Sequence, residues 1–468
     1  MDYDFAIIGG GSAGYAAART AIGLGLKTLL IEGGEKIGGL CILRGCMPSK
    51  ALIESANRML TLRRAKEFGL RATGLEAHAE EIVARQHHFI RDFADYRRGQ
   101  IESGAFDFVR GLAEFVGPHS VVVRWPGEPD RPITARSFLV ATGSVIQTPP
   151  VPGLAEAAAL TSDDALELTT LPSSLAVLGA GPVALEMAHY FSALGVAVTI
   201  IQRGPQLLTG SDPDIAHALE DALRKRGITI FTGTHIHGIE RTAEGRRIVF
   251  EKAGEMHTIA CAEILNALGR RPNLDKLGLA AAGIAGPEHR LETNAHQQTS
   301  QPHIFAGGDC CGPHEVVHIA VQQGEIAARN AARLLAEKGE PLEAIDDRLN
   351  LYAVFTEPQV ATVGLNEAAA RARGPIRVAT YPFDDHGKSL IMGETEGFVK
   401  LITDAATGEI LGGAVVGPHA SDLIHEIVVA MHFRATAAQL AAIPHYHPTL
   451  SEIWTYPAEE LASPDGND

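Results

Sequence analysis

The sequence predicts an α/β protein: two parallel-sheet units, each opened by a glycine-rich loop, and a separate C-terminal α+β domain. A strand–glycine turn–helix–strand pattern occurs at "DYDFAIIGGGSAGYAAARTAIGLGLKTLLIE" (residues 2–32) and again at "SLAVLGAGPVALEMAHYFSALGVAVTIIQR" (174–203). Each copy reads as a βαβ unit, whose crossover helix requires parallel strands. From about residue 345 the texture changes to strand-like runs followed by a helix, with no glycine fingerprint.

Between the repeats, a helical pattern covers 51–70 and a polar helical stretch covers 78–104. Strand-like runs follow at 119–124 and 136–142. The "PPVPG" at 149–153 breaks structure and marks a boundary. After the second repeat come strand runs around 228–265, then "LGRRPN". "HIFAGGD" (303–309) closes another strand ahead of a helix at 317–336. In the last domain, strand-like runs at 351–356, 360–363, 376–381, 398–403 and 409–416 precede a helix at 420–433.

With 468 residues the chain exceeds one compact core, so two to four domains are expected. The formal net charge of −16 argues against nucleic acid as a partner, since phosphate binding needs a basic field. The local basic run "RDFADYRRGQ" (91–100) reads as a solvated helix face. No run of 18 or more apolar residues suggests a membrane span. The N-terminus enters a strand pattern directly, so a cytoplasmic protein is expected. Five cysteines make no secreted disulfide framework.

Gly9-x-Gly11-x-x-Gly14, with Ser12 and Ala13 inside it, lies between an apolar strand and a helix. Such glycines permit a tight turn and let backbone N–H groups approach a pyrophosphate at a helix N-terminus. The next strand ends in Glu32, placed to accept from a ribose 2′-hydroxyl. The second loop is Gly179-x-Gly181-x-x-Ala184, with alanine in the permitted third place. Both units are thus Rossmann-like, and two dinucleotide sites suggest a flavin and a nicotinamide. The position matching Glu32 is Gln202, followed by Arg203. Without the carboxylate a 2′-phosphate is not repelled, and Arg203 can pair with it, which points to NADPH, with NADH as second choice.

Cys41 and Cys46 lie in "GGLCILRGCMPSK" (38–50). Zinc sites usually need three or four ligands at short spacings, and no histidine lies nearby, so no metal site is expected. Core packing and a redox disulfide remain. In a regular helix, Cα atoms five residues apart lie roughly 8–9 Å apart, beyond the ~7 Å a disulfide spans. A bonded pair therefore needs a break, which Gly45 allows. A helix starting near Pro48 would leave Cys46 close to a helix N-terminus, which favours its thiolate.

"GGLCILRGCMPSK" resembles the redox-disulfide motif of the class I pyridine nucleotide-disulfide oxidoreductases, the family of dihydrolipoamide dehydrogenase, glutathione reductase and mercuric reductase. "FLVATGSVIQTPPVPG" (138–153) resembles its ATG crossover, with Thr142 and Gly143. "LNALGRRPN" (265–273) resembles its second crossover, with Gly269 and Arg270. "IFAGGD" (304–309) resembles the flavin motif, with Gly308 and with Asp309 on the ribityl chain. "VFTEPQVATVGLNE" (354–367) resembles the opening of the dimer-interface domain, and "HYHPTLSE" (445–452) the C-terminal catalytic signature.

The resemblance implies FAD and NADP (or NAD) as cofactors, a small disulfide or dithiol as substrate, and a homodimer with a shared active site. It implies an FAD-binding domain over 1–152 and 286–344, an NAD(P)-binding domain over 153–285 and a dimerisation domain over 345–468. Cys46 would be the flavin-proximal thiol and Cys41 the interchange thiol. Gly39 and Lys50 would lie near the flavin, with Glu186 pairing with Lys50. His447 would protonate the leaving thiol, with Pro448 starting a helix and Glu452 holding one ring nitrogen. His445 reads as a neighbour.

Family members commonly carry Thr, Asn and Val where this chain has Leu40, Leu43 and Arg44, which points to a different substrate or flavin environment. Pro48-Ser49-Lys50 leans toward the lipoamide and mercuric branches, while Gln202 leans away from a standard dihydrolipoamide dehydrogenase. The tail "WTYPAEELASPDGND" lacks the cysteine pair typical of mercuric reductases. Cys310 and Cys311 read as small residues packed beside the cofactor, and His318 as packing or a flavin neighbour. The expected activity is NADPH-driven reduction of a small disulfide, with dihydrolipoamide oxidation as the alternative. A flavoprotein without disulfide turnover, such as a transhydrogenase, is a rival class whose members often lack one cysteine. A scaffold is a third.

Overall fold

From Phe5 onward the strand Tyr3–Ile8 is apolar on both faces, as a central parallel strand must be. Phe5 and Ile7 pack into one core cluster, and Ala6 and Ile8 into another. The computed structural model of the chain describes residues 1–286 and 289–463, divided into two compact units. The last five residues of the quoted tail lie outside the described residues.

One unit comprises Met1–Pro48, Ala84–Gln147 and Arg270–Asp346. Its seven-stranded sheet runs Asp107–Arg110, Thr28–Glu32, Tyr3–Ile8, Arg131–Val140, Ser120–Arg124 and Leu112–Gly117, with Ile304–Ala306 also on Arg131–Val140. The long strand Arg131–Val140 pairs antiparallel with Ser120–Arg124 through its first half. Its second half pairs in parallel with Tyr3–Ile8 and Ile304–Ala306. Ile8, Val140 and Ala306 lie in register, so three parallel strands end side by side. The chain leaves those ends as the first glycine loop, Thr142-Gly143 and Gly307–Asp309. Such carboxyl ends are where α/β sheets bind ligands. Helix Ser12–Gly23 packs on Val317–Ala336, where a Cβ on Gly324 would lie 2.1 Å from the Ala13 carbonyl oxygen.

The other unit comprises Ser49–Val83, Thr148–Gly269 and the chain from Asp347. Its parallel sheet runs Thr229–Phe231, Ala197–Ile201, Ser174–Leu178 and Glu263–Asn266, beside an antiparallel meander over Thr234–Thr242, Gly245–Lys252 and Glu255–Cys261. A five-stranded antiparallel sheet follows, ordered Leu351–Val354, Gln359–Gly364, Ile410–Gly417, Phe398–Asp404 and Ile376–Pro382, with helix Ala420–His432 against it. Within it Lys400 is fully buried, its ammonium held by Asp214 (2.6 Å), Glu367 (2.8 Å) and Asp212 (3.2 Å).

Three local expectations need correction. Strands Asp107–Arg110 and Leu112–Gly117 were not anticipated; they form through pairing with Thr28–Glu32 and Ser120–Arg124 rather than through a strong apolar pattern of their own. The basic run at 91–100 is mostly solvated, but Arg97 turns inward and lays its guanidinium 4.0 Å from the Tyr15 ring centroid. No helix starts at Pro448. The turn begins at Ser451, where Ile453 and Trp454 bury fully, and helix Thr455–Ala462 follows.

Candidate active site

In the first glycine loop, Gly9 has φ +110° and a Cβ on it would lie 2.3 Å from the Ala141 carbonyl oxygen. A Cβ on Gly14 would lie 1.8 Å from the Gly9 carbonyl oxygen, so strand and helix touch there. Gly11 differs, since a Cβ would meet nothing closer than Gly39 Cα at 4.0 Å. The side of Gly11 that a Cβ would take is thus clear, as a pyrophosphate cradle needs, although Gly39 lies next to it. Glu32 reaches back to accept from the N–H groups of Gly10 (2.8 Å) and Gly34 (2.5 Å).

The same edge carries further polar groups. The Thr142 hydroxyl oxygen is shut from solvent with no hydrogen-bond partner among the described residues, and a Cβ on Gly143 would meet nothing within 4 Å. Ser144, which sequence reasoning missed, donates to Asp309 at 2.6 Å and accepts from Arg270 Nε at 2.8 Å. An orphaned hydroxyl, open glycines and a fixed carboxylate fit a dinucleotide such as FAD.

The two-cysteine segment lies directly on this loop. Gly39 has φ +73°, and a Cβ on it would stand 2.6 Å from Gly11 Cα. Cys41 falls in the short helix Gly39–Arg44 and Cys46 begins the helix Cys46–Arg63, two residues before Pro48. The break between them is Gly45, where a Cβ would lie 3.0 Å from the Leu40 carbonyl oxygen and 3.2 Å from Cys41 Cα. Regular helix between the cysteines is thus interrupted where a bridge requires it. Cys41 is half-buried and Cys46 exposed. Burial holds the Arg97 guanidinium below its usual pKa, and it acts electrostatically on Cys41. Leu43 packs over Gly38.

Cys310 and Cys311 are buried and donate to backbone carbonyls, Cys310 to Val140 (3.3 Å) and Cys311 to Gly308 (3.2 Å). The neighbouring Cys310 thiol and burial push the Cys311 thiol well up, as suits a packing residue.

In the second unit, Gly179 has φ +104° and approaches the Ala267 carbonyl, while a Cβ on Gly181 would meet nothing within 4 Å. Helix Pro182–Ala193 starts there with no side-chain cap, and its N-terminus beside this open glycine fits a nucleotide pyrophosphate. Gln202 folds its amide onto Thr209 (3.1 Å) and the Gln206 carbonyl (3.3 Å). Arg203 is exposed and makes no hydrogen bond or ion pair among the described residues. Gly269 follows the neighbouring strand Glu263–Asn266.

Buried Glu186 accepts twice from Lys50 Nζ, at 2.8 and 2.9 Å. Phe355, not singled out in the sequence, donates its N–H to Glu186 (3.2 Å) and sets its ring 4.6 Å from Lys50 Nζ. His447 Nδ1 lies 3.0 Å from Glu452 Oε2. The carboxylate thereby holds Nδ1–H and leaves Nε2 outward on a side chain 79% exposed. His445 pairs with Glu426 at 2.6 Å.

The profile of the pyridine nucleotide-disulphide oxidoreductase family matches residues 3–324, and that of its dimerisation domain matches 351–458. A dihydrolipoyl dehydrogenase of Bacillus subtilis is 34% identical over 96% of both chains. A mercuric reductase of Staphylococcus aureus is 33% identical over 94% of this chain and 79% of its own. Among solved structures, LpdA from Mycobacterium tuberculosis superposes with a TM-score of 0.87 at 28% identity, covering 98% of this chain and 100% of that one. The HOCl-induced flavoprotein disulfide reductase RclA from Escherichia coli gives 0.84 at 26%, covering 98% and 99%. The chain therefore belongs to the pyridine nucleotide-disulphide oxidoreductase family and is a flavin-dependent enzyme of that class, with FAD and a pyridine nucleotide as its cofactors. Among the described residues no helix is long and apolar enough to cross a membrane.

Proposed function

We propose that the enzyme uses NADPH to reduce a small disulfide through its flavin and a redox-active Cys41–Cys46 pair. One observation carries this: Gly39 packs on Gly11, laying the two-cysteine segment on the loop that fits the flavin pyrophosphate. The bound flavin supplies two-electron exchange between a nicotinamide and a dithiol.

The chain's own groups do the rest. The Cys41 thiolate attacks one sulfur of the substrate, forming a mixed disulfide and releasing a thiolate, which takes a proton from His447. Cys46 then attacks the Cys41 sulfur, frees the second thiol and restores the Cys41–Cys46 disulfide. Glu452 fixes the His447 tautomer. We assign Lys50, paired with Glu186, to the neighbourhood of the flavin ring. We assign FAD binding to 1–152 and 286–344, nucleotide binding to 153–285 and dimerisation to 345–468. The dimerisation-domain match supports a homodimer in which His447 and Glu452 serve the other subunit, as do exposed Tyr446 (83%) and Phe433 (76%). The few cysteines fit a reducing cytoplasm.

Gln202 and exposed Arg203 support NADPH over NADH. Running the same chemistry toward NAD as a dihydrolipoamide dehydrogenase is the second reading, favoured by relatives of that name. Turnover of NADPH and NADH against lipoamide, cystine and glutathione disulfide, and of NAD against dihydrolipoamide, separates the two. Disulfide-dependent NADPH oxidation that vanishes in Cys46→Ala is expected. No disulfide-dependent oxidation of either nucleotide would sink the reading.

A further inference from the structure

We infer that His386 is a positioning residue for the His447–Glu452 pair, aimed from the core at the carboxylate oxygen that His447 leaves unused. This rests on the reading of His447 as the proton donor. His386 precedes the short helix Gly387–Met392 and is completely buried. Its Nδ1 lies 2.9 Å from the hydroxyl of Ser389, which is also completely buried. A hydroxyl donating to Nδ1 puts the ring proton on Nε2. Nε2 has no well-aligned hydrogen bond among the described residues, yet stands 3.4 Å from Glu452 Oε1. Glu452 Oε2 is the atom that holds His447. Ser389, His386, Glu452 and His447 thus form a polar line from core to surface, with side-chain exposures of 0%, 10% and 79% for its last three members.

Burial holds the His386 pKa below its ordinary value against the pull of Glu452. The ring is therefore neutral rather than a second cation, with Nε2 facing the carboxylate. Without it, a nearly buried carboxylate would lose the N–H dipole that faces its second oxygen at 3.4 Å. The other titratable groups nearby are engaged elsewhere. The Tyr456 ring, 6.4 Å from the His386 ring, stacks on Tyr381, whose hydroxyl donates to Asp385, and Glu426 is taken by His445. An N–H dipole facing Oε1 stabilises the carboxylate charge, so removing it makes the Glu452–His447 pair hold its proton more tightly.

The full-length flavin-loaded enzyme tests this with His386→Phe, His386→Gln and Ser389→Ala. The alkyl substrate is whichever of lipoamide, cystine and glutathione disulfide the parent turns over fastest. The aryl substrate is 5,5′-dithiobis(2-nitrobenzoate), whose leaving thiolate needs no proton. His386→Phe should slow alkyl-disulfide reduction roughly tenfold and move the pH limb of kcat/KM upward by about half a unit to one unit. Aryl-disulfide reduction should be affected far less. His386→Gln, which keeps an N–H, should restore most of the rate, and Ser389→Ala should shift the limb less in the same direction. A parent-like pH profile in His386→Phe, or alkyl and aryl rates falling together, would overturn the inference while His447→Gln is inactive. Turnover surviving His447→Gln would overturn the acid–base reading itself, and this inference with it.

Discussion

The two glycine loops repeat one motif and are built to different ends. The first is covered: Gly39 of the cysteine segment lies across Gly11, and Glu32 is locked by two backbone amides. The second is open: nothing stands within 4 Å of a Cβ on Gly181, Gln202 has folded away, and Arg203 extends into solvent. A covered loop suits a resident cofactor and an open one suits a nucleotide that enters and leaves at each turnover. The motif alone does not separate these roles; the residues laid over it do.

The sharpest break in the comparison is at the third position. Gly14→Val should cost ~3 kcal/mol or more and most of the bound flavin, because its Cβ has no room against the Gly9 carbonyl. Flavin absorbance per mole of protein and thermal unfolding read both effects. The second loop already carries a methyl there, and Ala184→Gly should cost only about 1 kcal/mol. Equal losses would erase the distinction.

Next in size is nucleotide choice. Arg203→Ala should raise KM for NADPH roughly tenfold or more by removing a charge-assisted hydrogen bond, and leave KM for NADH within about twofold. Adding Gln202→Glu should reverse the preference. Equal changes for both nucleotides would mean that Arg203 only decorates the surface.

The smallest difference lies one helix face away. Ten residues after its first glycine, the first repeat has exposed Arg19 and the second has His189, 2% exposed, with Nε2 2.8 Å from Asn57 Oδ1. Burial pushes the His189 pKa down to about 3. A histidine depressed below its unfolded value near 6.5 contributes full stability above that pH and loses it as pH falls toward 3. In that window the unfolded chain binds the extra proton. The second unit should lose roughly 1 kcal/mol per pH unit below about 6.5 on this account. His189→Gln should flatten the slope of unfolding temperature against pH, and an unchanged slope would contradict it.

Much of this was legible in the sequence. The βαβ repeats, the helix at 317–336 and the C-terminal strands follow from apolar periodicity with glycine punctuation, which is local information. Cys41, Cys46, Lys50, Glu186, His447 and Glu452 stand in motifs whose spacing survives folding. Other features come from distant chain segments. Ser144 meets Asp309 across 165 residues, and Phe355 meets Glu186 across 169. His386 lies 66 residues before Glu452, in a segment with no motif. Strand Leu112–Gly117 exists because a neighbour pairs with it. The turn at 451 is set by burial of Ile453 and Trp454, against the local signal of Pro448.

Reductive titration tests the central claim most directly. Under anaerobic conditions with dithionite, the flavin-loaded enzyme should take up two electrons more per protomer than Cys46→Ala, as a flavin and a redox disulfide together require. A long-wavelength absorbance band should appear after the first equivalent in the parent and be absent in the variant. Equal electron uptake with no such band would mean that Cys41 and Cys46 are not a redox pair beside the flavin.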